Sequence, residues 1–387
     1  MKINKSILAL ALGLGSLSLA NAGTVYLSGS TALRGSVYTA IRTAGVVFTA
    51  VPSTTLYDGG SAGNNAGSGA NYMAFQGTLV GGSGTTTLLC HWSGSEEGIK
   101  DVAVPATSET FIDPSTLDGA DHGTNQPTTV SHSAIELCFA DNAQSFSKTK
   151  TPVVTGNSKI GVITFKWVRN PGLWTGTNIT FAQIRAALDG FCKRAVFSGS
   201  LSDTNDYVYV SGRSSLSGTR VNAFGTSGYG IGTLPNQIEI NSGGVMQDLD
   251  GAGTYAGDFG YSSGGTLAKT LGANTTASSD LWNGATGFSV VSYLSVGDAA
   301  TAIGLGAVEL TVNGVPFSAA NVKEGTYDFW GNAYVFKANA VVNGSEADTV
   351  YGKLVVGVPP TFNGVNAIKL TDMHCTRTGP TSDPAHN

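Results

Sequence analysis

Three groups of small hydroxyl residues and glycine and one lone aspartate, met in one order along the chain, hold the chemistry this sequence can do. Ser28-Gly29-Ser30-Thr31 comes first and Ser93-Gly94-Ser95 second. Asp141 then closes the run Ile135-Glu136-Leu137-Cys138-Phe139-Ala140-Asp141, and Arg213-Ser214-Ser215-Leu216-Ser217-Gly218-Thr219 comes last. Backbone N–H groups at glycine-rich helix starts, hydroxyl donors and one arginine are the donor set of an enclosed oxyanion. Singly, each group has a bland reading: a capped turn, a serine-rich loop, a surface acid, a surface arginine. Glycine is 53 of 387 residues, so Ser-Gly-Ser arises by chance, and Gly82-Ser83-Gly84-Thr85 reads as such an accident. The signal is the order, and the apolar segment that precedes each group.

Those apolar segments read as strands. Val25-Tyr26-Leu27 runs into the first group, 88–92 into the second, 134–139 into Asp141 and 207–210 into Arg213. Ala32 onward to 43 reads as a helix capped by Ser30 or Thr31, and 96–102 as a short helix. A longer strand spans 160–168. Thr180 and Gln183 form a capping box for a helix over 180–194, with Ile184, Leu188 and Phe191 on one face. Further strands fall at 288–294 and 327–337, and Asn313-Gly314 turns a hairpin over 307–317. The polar stretches 52–84 and 106–130 read as surface loops, and the tail from Gly379 as disordered. Strand, Gly/Ser turn, helix recurs, which predicts an α/β fold with ligand groups at the carboxyl ends of strands.

Composition narrows the class. Charged residues are 12% and the formal net charge is −5, with no basic run to neutralise a phosphate backbone, which excludes nucleic acid. Lys2 and Lys5, the apolar stretch 7–19 and Ala20-Asn21-Ala22 read as an export signal over 1–22. No later stretch is apolar enough to span a bilayer. The four cysteines, Cys90, Cys138, Cys192 and Cys375, match no zinc spacing, and Cys90 could pair with Cys138 across neighbouring strands. His91, His132 and His374 have no ligand spacing around them, and no metal or cofactor is expected. No phosphate-cradling Gly-x-x-x-x-Gly-Lys-Ser/Thr motif is present.

With these motifs in place, the chain resembles the periplasmic phosphate-binding proteins of ABC transporters, the type II solute-binding family. The resemblance rests on Val25-Tyr26-Leu27-Ser28-Gly29-Ser30-Thr31-Ala32, on Ser93-Gly94-Ser95 before a short helix, and on Asp141 at a strand end. Its most specific elements are Arg213-x-x-x-Ser217-Gly218-Thr219 and the late Asn313-Gly314-Val315 and Asn321-Val322-x-x-Gly325-x-Tyr327 runs. Glu96 and Glu97 depart from the small residues of that family, and an anion nearby requires them to face solvent. The segment after Val341 is short for the family's final helices.

The resemblance implies two domains with a ligand cleft between them, the first at 23–159 plus 326–387 and the second at 160–325. It implies inorganic phosphate as ligand, held by Ser30, Thr31, Ala32, Ser95, Asp141, Arg213, Ser217, Gly218 and Thr219. Asp141 would accept the proton of hydrogen phosphate. Fully ionised sulfate has none to give, and an unpaired buried charge costs several kcal/mol. The expected partner is an ABC permease in the inner membrane, and the expected state a periplasmic monomer with no catalysis. Another oxyanion, or a cell-surface structural or adhesive protein that keeps the fold without the ligand, are the rivals. A serine hydrolase lacks its Gly-x-Ser-x-Gly elbow.

Overall fold

The computed structural model describes residues 23–57, 69–122, 128–150, 155–241, 243–247, 253, 256–273 and 287–386. The expected export signal lies outside these residues. The chain begins with β1 (Gly23–Gly29), α1 (Arg34–Arg42), β2 (Ser53–Tyr57), β3 (Tyr72–Thr78), β4 (Thr85–His91), α2 (Ser95–Ala103), β5 (Ser108–Ile112), β6 (Thr129–Ser133) and β7 (Leu137–Ala140). The long β8 (Thr155–Arg169) leads to β9 (Asn178–Ile179), α3 (Phe181–Leu188), β10 (Cys192–Lys193), α4 (Ala195–Ser198), β11 (Tyr207–Val210), α5 (Gly218–Ser227), β12 (Gln237–Ile238) and β13 (Ala256–Gly257). Then come α6 (Gly264–Ala273), β14 (Ser289–Ser295), α7 (Val296–Gly304), β15 (Val308–Glu309), β16 (Thr311–Val312), α8 (Ala319–Lys323), β17 (Trp330–Lys337), α9 (Glu346–Gly357), β18 (Ala367–Ile368), β19 (Cys375–Thr376) and β20 (Ala385–His386).

The α/β class expected from the sequence is present, in two similar halves. β1 lies parallel between β4 and β7, and β17 adds antiparallel beyond β7. β11 lies parallel between β12 and β14, and β8 adds antiparallel beyond β14. β8 belongs to both halves: residues 155–164 pair with β17 and 165–169 with β14. In each half the chain leaves its first strand, β1 or β11, for one side and later returns on the other. Such a reversal of strand order opens a crevice outside the carboxyl ends of the strands. The residues following β1, β4, β7 and β11 are the three groups and the lone aspartate singled out from the sequence.

The strands are buried on both faces, so they read as continuous apolar runs. Leu88 and Cys90 of β4 join Leu137 and Phe139 of β7 in one core, while Leu89, Cys138 and Ala140 join the core on the opposite face. This alternation rules out the Cys90–Cys138 disulfide, because the two thiols lie on opposite sides of the sheet with β1 between their strands. All four cysteines are free and buried.

Several expectations are corrected. The stretch 52–84 contains the antiparallel pair β2–β3, which extends the sheet beyond β4. The stretch 106–130 contains β5 and the start of β6, themselves paired antiparallel. In both, Thr and aromatic residues form ladders that the intervening Gly, Ser and Asn disguised. The capping box of Thr180 and Gln183 forms, but its helix ends at Leu188. Phe191, beyond Gly190, has a φ of 53° and is 51% exposed.

Asn313 and Gly314, with φ of 50° and 82°, make the expected turn. The flanks pair elsewhere, β15 with β8 and β16 with β9, leaving a single Val312–Val315 bridge in place of a hairpin. The final helix missing from the sequence reading is α9, whose Val350 and Leu354 are buried. The tail is ordered as well. The Gly379 N–H donates to Ser382 Oγ at 3.3 Å, and β20 beyond it pairs antiparallel with β19. Its polar composition concealed these contacts.

Candidate functional site

The turn after β1 is tied to β7, since the Ser30 N–H donates to the Phe139 carbonyl at 2.8 Å. This carries the Ser30 hydroxyl to Asp141, where it donates to Oδ1. The same Ser30 Oγ accepts from the Ala32 and Leu33 N–H groups at 3.2 and 3.3 Å, so Ser30 organises the turn while α1 begins only at Arg34. Thr31 and Ala32 are half-buried at its tip. The second loop needs Gly94, whose φ of 121° suits glycine, and α2 starts directly after it at Ser95. Ser95 Oγ accepts the Asp141 N–H at 3.0 Å. Ser30, Ser95 and Asp141 therefore meet although they lie on three strand ends.

The second half closes on this group. The Glu96 N–H donates to the Leu216 carbonyl at 2.9 Å. Gly218 opens α5 against Ser95, where an added Cβ would fall 2.4 Å from its Oγ, a space open only to glycine. Asn222, one turn along α5, donates its amide to the Asp141 carbonyl at 3.1 Å and to the Gly218 carbonyl at 2.8 Å. Ser217 caps α5 by accepting from the Arg220 N–H at 3.4 Å, and Thr219 is buried in the first turn.

Arg213 is 1% exposed. Its backbone is clamped by Tyr293 Oη, 3.1 Å from its N–H, and by the Gln237 amide, 3.2 Å from its carbonyl. Its Nε and Nη2 donate to the Tyr261 and Ser262 carbonyls at 3.0 and 2.7 Å. Two of the five guanidinium N–H groups are thus engaged among the described residues, and the rest stay available to an acceptor. Asp298, held by the Ser295 hydroxyl at 2.7 Å, and Asp141 both act on the guanidinium charge. Burial pushes the Asp141 carboxyl up to about 6, against the opposing pull of Ser30, Arg213 and Ser95.

One expectation about this region fails. Glu96 does not face solvent: it is 3% exposed. Its carboxylate accepts from the Asn142 amide at 2.8 Å, the Ser147 hydroxyl at 3.0 Å and the Lys148 N–H at 2.8 Å. Those donors satisfy a buried carboxylate, so it need not reach water. Glu97 pairs with Lys100 at 3.2 Å. Sequence reasoning missed Asn222, Tyr293, Gln237 and Asp298. Only Asn222 carried a signal, its i+4 spacing from Gly218 on one helix face.

Among the described residues no helix is long and apolar enough to cross a membrane. No protein-family profile and no curated protein matches the chain. Its similarities are to solved structures. One is a Clostridium perfringens protein described as a phosphate ABC transporter substrate-binding protein, with bound phosphate, at 12% identity and TM-score 0.49, covering 90% of this chain and 99% of that one. An ABC-type phosphate transport receptor from Vibrio cholerae is 10% identical at TM-score 0.47, over 89% and 99% of the two chains. PstS from Borrelia burgdorferi is 12% identical at TM-score 0.38, over 86% and 92%. Likenesses of this size leave the assignment of the site to its own geometry.

Proposed function

We propose that this chain is an exported solute-binding protein of the type II kind. It captures inorganic phosphate in the cleft between its halves and delivers it to an ABC permease of the inner membrane. The two domains are 23–159 with 326–387, and 160–325, divided within β8. One observation carries the reading. Asp141 is buried together with the Ser30 and Ser95 hydroxyls, under the field of a buried Arg213 whose remaining N–H groups have no partner among the described residues. A hydrogen phosphate between them receives donors from Arg213, Ser95 and the α5 start at Gly218 and Thr219, with Thr31 and Ala32 at the rim and Ser30 holding Asp141 in place. At pH 7 the Asp141 carboxyl is above its value of about 6 and mostly ionised, ready to accept the ligand's one proton. Sulfate offers that carboxylate no proton and is repelled.

The test is a thermal melt of the leaderless chain, unfolded and refolded to strip bound ligand, with phosphate or sulfate. Ligand at 100 times its dissociation constant adds about 2.7 kcal/mol. The proposal expects a rise with phosphate and none with sulfate. A rise with both keeps the cleft but removes Asp141 as selector. No rise with either overturns the proposal in favour of a structural or adhesive protein.

A further inference from the structure

A second group of acids lies outside the cleft. Glu97 and Asp101 sit one turn apart on α2, and Glu109 faces them from β5. One carboxylate oxygen from each falls within 4.8 Å of the others. Acids gather on protein surfaces without consequence, but Asp101 is not on the surface. It is 0% exposed, and among the described residues neither of its carboxylate oxygens has a hydrogen-bond partner. Glu97 Oε2 is buried and unpartnered in the same way. The Ser28 hydroxyl lies beside Asp101 and is likewise without a hydrogen-bond partner among the described residues. Buried carboxylate oxygens almost always have a partner. Three unpartnered oxygens on two adjacent acids, with a third acid facing them, are a donor set lacking its acceptor of electron pairs.

We propose that Glu97, Asp101 and Glu109 bind a hard divalent cation of the Ca2+, Mg2+ or Mn2+ class. Such ions take carboxylate oxygens at about 2.0–2.6 Å, so oxygens on opposite sides of one ion lie roughly 4–5 Å apart, the spread found here. His91 gives the site its outer support. Its Nδ1 lies 2.9 Å from Glu109 Oε1, which also accepts the Thr110 N–H at 2.8 Å, and its ring stacks on Tyr72 with centroids 4.3 Å apart. Ligating carboxylates are themselves hydrogen-bonded in metal sites, and the Thr110 N–H supplies that bond to Glu109. Lys100, against Glu97 Oε1 at 3.2 Å, leaves Glu97 Oε2 for the ion. The cation fastens α2, whose first residue is Ser95, to β5.

The test uses the leaderless chain refolded in chelator, then dialysed against Ca2+, Mg2+ or Mn2+ and assayed by metal analysis and melting. One equivalent of one of these ions is expected to stay bound and to raise Tm by several degrees, reversed by chelator. Asp101→Asn is expected to abolish both effects while keeping the phosphate-dependent rise of the parent. Absence of a stoichiometric ion together with a chelator-insensitive parent melt overturns the proposal, whatever the variant does. So does an Asp101→Asn protein that retains the parent's metal response. Should that variant not fold, Glu109→Gln is read against the same two outcomes.

Discussion

Asp141→Asn separates the cost of a buried charge from the selectivity it confers. In the ligand-free fold, burial lifts this carboxyl from 3.8 to about 6. At about 1.4 kcal/mol per pH unit that interval corresponds to ~3 kcal/mol. The folded value is raised, so the native state holds the proton more tightly than the unfolded chain. The associated stability is fully present below about pH 4 and is lost as pH rises through about 6. Asparagine removes the charge but retains an oxygen for the Ser30 hydroxyl, and the backbone contacts to Ser95 and Asn222 do not involve the side chain. The ligand-stripped variant should therefore match its parent near pH 4 and exceed it by ~1–3 kcal/mol at pH 7.5. Urea melts of both proteins at pH 4, 5, 6 and 7.5 measure this. A variant less stable than the parent at pH 7.5, or a difference that does not change with pH, refutes the buried-charge reasoning. The same variant should gain a sulfate-dependent rise in Tm that the parent lacks.

Gly218→Ala puts a methyl group 2.4 Å from Ser95 Oγ and 2.7 Å from its Cβ. A loss of ~1–3 kcal/mol is expected, with the phosphate-dependent rise in Tm reduced because the halves can no longer close. Thr180→Ala removes a capping box remote from the cleft. It should cost about 1 kcal/mol by urea melt and leave the phosphate response intact, serving as the control for stability loss alone.

Much of the design is readable along the chain because it is local. A strand, a Gly/Ser turn and a helix start need only neighbouring residues, and so do the capping box of Thr180 and Gln183 and the Asn313-Gly314 turn. The order of Ser30, Ser95, Asp141 and Arg213 after four apolar runs predicted a common site, and the fold brings Ser30, Ser95 and Asp141 together. The sequence also sufficed for β8 and β11, whose apolar residues are buried on both faces.

Other features depend on what each residue meets across the fold. Glu96 reads as an obstacle to an anion, yet Asn142, Ser147 and Lys148 satisfy its carboxylate, and no spacing reveals that they surround it. Cys90 and Cys138 read as possible partners until the strand order puts them on opposite faces. The tail from Gly379 reads as disordered until β20 pairs with β19. The carboxylates of Glu97, Asp101 and Glu109 converge only when β5, lost among polar residues in the sequence, pairs and packs against β4 and α2. Sequence alone determined which residue types could hold an anion and at which strand ends. Tertiary structure decided which charges are buried together, because burial and partnership belong to surfaces that meet only after the chain has folded.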